Sequence, residues 1–283
     1  MSITILPAPD HAVGLAAHLK RNPLPEPTVT RQLVREARGI YRAIMREHGF
    51  QGRSDTALLT DPAGNVKIAK SERAVWSLTL APAMSSGMIN TCVRYADCSD
   101  VCVLTSGKGN LPAVQRSRCA RTALLYRAPE AFAILLADEL RRAGRKANRL
   151  GFAWGVRLNA ASDIPWEHAA PWVFDAIKGY GGTAYDYTKS WARADRDGYT
   201  LVRSVDSRQS VDRIAAIIGE GKNVAVVLPV KKGEPVPATW QGLPTIDGDV
   251  SDDRTADPRG VVVVLRAKGA LRNRPNHPLV RAL

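Results

Sequence analysis

The chain has 283 residues, 45% apolar and 24% charged, which is long enough to bury one large core or two small ones and argues against disorder. Forty Lys and Arg against 27 Asp and Glu give a net charge of +13 and a pI near 9.9, a balance that suits a polyanion, nucleic acid above all. The bland alternative is a basic surface that only keeps the protein in solution. No run of about 18 apolar residues and no leader pattern occurs, so the expectation is a soluble cytoplasmic protein that makes no use of a membrane.

In chain order, residues 1–27 are rich in proline and predict an irregular arm. Residues 28–47 carry Leu33, Ala37, Ile40, Tyr41 and Ile44 on one stripe, with His48 and Gly49 as the stop, and predict a packing helix. DPAGN at 61–65 is a turn signal, and VWSLTLAP at 75–82 alternates as a strand. The segment holding the cysteines follows as a long loop at that strand's end. Residues 121–142 predict an amphipathic helix through Leu124, Leu125, Phe132, Leu135, Leu136 and Leu140. FAWGVRLN (152–159) reads as a buried strand, and WEHAAPWVFDAIKGYG as a helix that Pro171 kinks or begins anew. Further strands are expected at 183–188, 199–204, 223–230, 243–247 and 260–267, with a helix in VDRIAAIIGEG between two of them.

Strands that alternate with helices, several of them continuous in Val, Ile and Leu, predict a parallel sheet covered on both faces. The expected fold class is α/β, a (β/α) barrel, complete or incomplete, with an N-terminal helical extension and a Cys-rich metal-binding loop; an open doubly wound sheet is the alternative. The expected divisions are residues 1–70 as arm and packing helix, 71–270 as the barrel-like catalytic domain with its Cys loop at 91–120, and 271–283 as a basic tail.

In either architecture the working residues lie beyond the C-terminal ends of parallel strands. Those ends supply Asn159, Ser162 and Asp163, then Asp186 and Lys189, then Asp247 and Asp249, and finally Lys268. Asp163 suits a general base, a nucleophile or a reader of base edges; equally, Ser162 or Asp163 could simply cap a helix opening at Pro165. IDGDVSDDRTADPRG packs five aspartates between Asp247 and Asp257 without the spacing of a calcium loop, and Asp247 and Asp249, nearest the strand end, are preferred to the rest. TSGKGN lacks the glycine and hydroxyl positions of a phosphate loop, which disfavours a nucleoside triphosphatase. Lys108, Arg116, Arg118 and Arg121 form a basic stripe suited to phosphates, or an ordinary helix end.

Cys92, Cys98, Cys102 and Cys119 are the chain's only cysteines, spaced C-x5-C-x3-C-x16-C. Disulfides are rare in a reducing compartment, so a metal is favoured, zinc before a [4Fe–4S] cluster, with buried apolar thiols as the remaining option.

NVKIAKSERAVWSLTLAP, the three-cysteine loop, RLNAASDIPWE, YDYTKSW, IDGDVSDDRTADP and GVVVVLRAKG, in that order over roughly residues 64–270, resemble a family of actinobacteriophage and other phage proteins. That family is in turn associated with the phage branch of the tRNA-guanine transglycosylase superfamily, which exchanges guanine in DNA for a 7-deazaguanine base. The resemblance implies a (β/α) barrel, a cysteine-bound zinc, DNA and a free 7-deazaguanine base as partners, and a carboxylate that attacks C1′ to leave a covalent glycosyl enzyme. Asp163 and Asp249 are then expected as the catalytic pair, with Asp186, Asn159, Ser162, Lys189, Asp247 and Lys268 around the substrate. A flipped base and phosphate contacts would accompany them. Two departures stand out: a fourth zinc ligand would have to be Cys119 or His277, and the DSGGFQ-like base-binding motif of the tRNA enzymes is missing. Rival readings are an Fe–S or Mg²⁺-dependent nucleic-acid enzyme or nuclease and a non-catalytic DNA-binding protein; a homodimer is left open.

Overall fold

The computed structural model describes residues 13–51, 56–62, 73–92, 94–98, 100–105 and 107–283, so the NVKIAKSE part of the phage-like motif lies outside the described residues. The elements are β1 (Val13–Gly14), α1 (Leu15–Arg21), α2 (Arg31–Glu47), β2 (Leu59–Thr60), β3 (Ala74–Leu78), β4 (Ile89–Asn90), α3 (Pro112–Arg127), α4 (Pro129–Leu150) and β5 (Trp154–Arg157). They continue with α5 (Trp166–Ala169), α6 (Trp172–Lys178), β6 (Thr183–Thr188), β7 (Tyr199–Ser204), α7 (Val211–Gly219), β8 (Val224–Leu228), β9 (Thr239–Trp240), β10 (Leu243–Asp247) and β11 (Val262–Arg266).

Local chemistry sets the helix ends. The Thr30 hydroxyl accepts from Leu33 N at 3.2 Å and starts α2, and Ser210 caps α7 in the same way. The single helix expected over 121–142 is instead two, because Pro129 cannot continue a helix and pushes Ala128 out of the α region (φ −137°, ψ 64°). That break also places Cys119 on α3 rather than in a loop.

Nine strands form one sheet in the order β2-β3-β5-β6-β7-β8-β11-β10-β9, parallel throughout its interior and antiparallel at its two edges. The expected barrel is therefore not closed: two-residue antiparallel strands, β2 and β9, end the sheet instead of pairing with each other. Successive right-handed crossovers in one direction put the helices on one face. Trp76, Leu78, Trp154, Val156, Ala184 and Leu201 pack there against α2, α3, α4 and α6, and Val224, Val226, Val262 and Val264 pack against α7.

The opposite face carries Val75, Tyr185, Tyr187, Val202, Ala225 and Val263, and the aspartate-rich segment after β10 runs across it. Gly248 permits that crossing, since a Cβ there would lie 2.6 Å from Val263 Cγ1 and 2.8 Å from Leu265 Cδ2. Farther along, Asp253 pairs with Arg73 at 3.1 Å. So the strands are buried on both faces as expected, but by helices on one and by a strand-free segment on the other.

Residues 13–27 of the expected arm and the basic tail both pack onto the rest of the fold. In the supposed arm, α1 buries Leu19, and Leu24 exchanges hydrogen bonds with Ala169 O and Trp172 Nε1. The supposed basic tail packs down: Leu271 and Leu279 bury against Val101, Arg281 N donates to Val227 O, and Trp240 Nε1 donates to Ala282 O at 2.7 Å.

Candidate functional site

Just beyond the C-terminal ends of β5 and β6, most of the residues expected around the substrate meet in one buried network. Asn159 is its hub. Its side-chain carbonyl accepts from Ser162 Oγ (2.8 Å), Ile164 N (2.9 Å) and Trp166 Nε1 (3.2 Å), and its backbone N–H donates to Asp186 Oδ1 at 2.6 Å. Asp186 also accepts from Tyr199 OH at 2.8 Å; burial pushes its pKa up to about 7 even though these donors favour the carboxylate. Asp163 accepts from Lys189 N and from Arg193 Nη1, each at 2.9 Å. Arg193 clasps Glu167 through two further bonds of 2.8 and 2.7 Å and reaches Tyr199 OH.

Burial alone would lower the Arg193 pKa, but Tyr199, Glu167 and Asp163 raise it. Every oxygen of Asp163 is thus engaged, and Asp186 is fully buried. The arrangement ties the ends of β5 and β6 together. Arg193, Glu167 and Tyr199 went unnoticed in the sequence because they follow Asn159 by up to forty residues, with no spacing signal between them.

The cysteine segment lies over this edge. Cys92 bridges Asp163 through a parallel pair in which Asp163 N donates to Thr91 O, and Asp97 accepts from Ser207 N and Oγ after β7. None of the four cysteines is in a disulfide. Cys92 is turned to Ala161 O, Cys98 to Tyr95 O and Cys119 to Ser85 O, and burial raises all three pKa values, that of Cys92 to about 11. Cys98 lies near both Cys92 and Cys102. Among the described residues no three His, Cys, Asp or Glu side chains converge as a metal site. His277, the other suggested ligand, lies 3.5 Å from Asp100 and accepts from Leu279 N. The four-thiol donor set is therefore not assembled in this arrangement.

Asp247, Asp249 and Lys268 stand apart from that network. They line a groove of about 1080 Å³ beyond β8, β10 and β11, together with Lys231, Lys232 and Arg266. Arg266 pairs with Asp247 at 2.7 Å and Asp249 at 3.5 Å, and Lys268 pairs with Asp249. The Arg266 hydrogen bond, foremost, holds the Asp247 carboxyl below its ordinary pKa.

A third set opens past β3 and β5 on the helix-free face, in a cavity of about 230 Å³ lined by Ser77, Thr79, Arg118, Arg157, Tyr185 and Asp252. Arg157 lies over the Tyr187 ring at 5.0 Å. Arg157 Nε and the hydroxyl of Tyr185, whose residue is 1% exposed, are buried without a hydrogen-bond partner, and burial raises the Tyr185 pKa. Unmet polar groups in a small cavity are what a ligand with its own donors and acceptors satisfies. One signal for this set was in the sequence: Arg157 is the lone charge in the apolar run FAWGVRLN. Asp252 belongs to the aspartate-rich segment, whose members nearer the strand end were preferred.

Of the expected phosphate contacts, Arg116 and Arg118 line a further cavity of about 440 Å³, whereas Arg121 is held inward by Ala57 O at 3.2 Å. The side chain of Lys108 lies outside the described residues. No helix among the described residues is long and apolar enough to cross a membrane.

Residues 53–277 match a family model described as Gene product 88. No curated protein and no solved structure matches the chain.

Proposed function

The chain belongs to the gene product 88 family of phage proteins, and from that premise we propose that it is a DNA-modifying glycosyltransferase that exchanges guanine for a 7-deazaguanine base. One observation carries the reading. The small cavity on the helix-free face has the scale of a single nucleobase and brings the Asp252 carboxylate together with Arg157 Nε and the Tyr185 hydroxyl, both buried without a hydrogen-bond partner. It lies at the C-terminal edge of a parallel sheet, where α/β enzymes place their chemistry, and the chain's +13 charge suits the DNA that must deliver the base.

In this reading Asp252, not Asp163, attacks C1′ of the deoxyribose. The C1′–N9 bond breaks, its electron pair leaves with guanine, and the N9 position takes the proton of the Tyr185 hydroxyl; the neighbouring Arg157 charge offsets the phenolate. The incoming base then returns its N9 proton to Tyr185, bonds to C1′ and releases Asp252. Asn159, Asp163 and Asp186 act one layer away by fixing the ends of β5 and β6. A zinc ion or iron–sulfur cluster on the cysteine segment belongs to the proposal only as a clamp for that segment, and no chemical step is assigned to it.

The test is a nucleoside digest and mass spectrum of plasmid DNA from cells that express the protein and are supplied with a 7-deazaguanine precursor. A deazaguanine nucleoside is expected with the native chain and its loss by orders of magnitude with Asp252→Asn. Unmodified DNA alongside soluble native protein would refute base exchange; full modification by Asp252→Asn would remove Asp252 from the chemistry.

A further inference from the structure

Among the described residues four arginines are buried to 8% exposure or less: Arg118, Arg193, Arg203 and Arg254. Three have carboxylate partners, Arg193 with Asp163 and Glu167, Arg203 with Asp195 at 3.1 Å, and Arg254 with Asp257 at 3.2 Å. Arg118 differs. Its one hydrogen bond among the described residues runs from Nη1 to the Leu104 carbonyl at 3.3 Å, its Nε has no partner, and no ion pair joins it. Desolvation pulls its pKa down, as expected of a charge buried without a counter-ion. Such a charge is costly unless an anion from outside completes it.

The surroundings of Arg118 supply the rest of an anion site. The cavity of about 440 Å³ that it lines also takes in His48, Ser85, Gln115 and Arg116, and no carboxylate lines it. Pro112, Gln115 and Arg116 bring the first turn of α3 to its wall. That helix has 16 residues, no acid in its first turn, and an N-cap, Leu111, whose side chain cannot accept a hydrogen bond. The positive dipole end of that helix therefore borders the same space as two guanidinium groups. Leu104 and Arg118 line this cavity and the base-sized one alike, so the two are neighbours across a single side-chain wall.

We propose that this cavity seats a backbone phosphodiester of the DNA strand whose base enters the neighbouring cavity, with Arg118 and Arg116 as its cations and the dipole of α3 adding to their field. The inference rests on the nucleic-acid reading above and places the strand on the protein.

The experiment is fluorescence anisotropy of a single-stranded DNA oligonucleotide with the full chain, titrated at several salt concentrations, beside a thermal melt of each variant. Arg118→Met is expected to weaken binding at least about tenfold, and to flatten the slope of log K against log salt by about 0.7 for the one phosphate lost. Its melting midpoint should hold or rise, because the substitution removes an unpaired buried charge. Arg116→Ala, on the surface, should lose affinity and slope in the same sense with no change in midpoint. Asp252→Asn should bind as the native chain does while failing to exchange bases, so failure of the chemistry and failure of the phosphate seat are separable. Native affinity and slope in Arg118→Met would overturn the proposal. So would a midpoint that falls as for loss of a buried ion pair, which would make Arg118 a structural residue. Inorganic phosphate that raises the native midpoint but not that of Arg118→Met, and does not compete with the oligonucleotide, would assign the cavity to a free oxyanion and overturn its assignment to the strand.

Discussion

Replacing Arg193 by methionine keeps much of the side chain's volume and removes the cation that joins Asp163, Glu167 and Tyr199. The native guanidinium makes four hydrogen bonds of 2.7–2.9 Å to those three residues, and the Asp163 and Glu167 side chains are each only 9% exposed. Breaking one buried pair costs about 3–5 kcal/mol because it strands a buried charge, and here two carboxylates are stranded, so the upper part of that range applies. At roughly 2–4 °C per kcal/mol for a domain of this size, the melting midpoint should fall by on the order of 10 °C. The assay is guanidinium denaturation with a parallel thermal melt. Arg196→Met serves as the control, since Arg196 meets Asp175 in an exposed pair at 3.2 Å and should cost less than about 1 kcal/mol. Adding Asp163→Asn and Glu167→Gln to Arg193→Met should restore part of the loss, because neutral partners no longer lack a counter-charge. An Arg193→Met protein within about 1 kcal/mol of native would refute the claim that this network is structural. Asp163 would then return as a candidate nucleophile, and a stable Asp163→Asn variant without base exchange would establish it.

Glu139 on α4 accepts from Leu58 N and Leu59 N at 2.8–3.0 Å, and burial pushes its pKa up to about 7 from an ordinary 4.5. Folding therefore takes up a proton in that window, so this group's contribution to stability falls as pH rises from about 5 to about 7. Glu139→Gln should make the pH slope of the unfolding free energy less negative by up to about 1.4 kcal/mol per pH unit across that window, and an unchanged slope would refute the shift. For the cysteine segment, whose thiols do not converge as a site, elemental analysis of purified protein tests the clamp: close to one zinc, or iron with acid-labile sulfide, lost on Cys98→Ser would support it. Metal-free protein that still melts cooperatively would remove the clamp.

How much of this was legible in the sequence depended on the range of the interaction involved. The runs at 183–188, 199–204 and 243–247 coincide with β6, β7 and β10 because their alternation or continuous apolarity is a local property, and α2 ends at His48 because the residues that stop it are adjacent. The split at Pro129 was equally local and readable. Closure was not: whether nine strands meet as a barrel depends on the chain's two short edge strands, and Leu59–Thr60 and Thr239–Trp240 are too brief to carry a pattern. The site divides along the same line. Asn159, Asp163 and Asp186 were found because polar residues follow apolar strands, but Arg193 and Tyr199, the distant partners that bind Asp163 and Asp186, left no local signal. Asp252 was passed over for Asp249 by distance from the strand end. Gly248 sends the chain across the helix-free face, so that Asp252 lines the cavity with Arg157 and Tyr185 while Asp249 pairs with Lys268. Position relative to a strand end marked a polar edge of the sheet; the cations that hold its carboxylates, Arg193 at Asp163 and Lys268 at Asp249, come from farther along the chain and left no local signal.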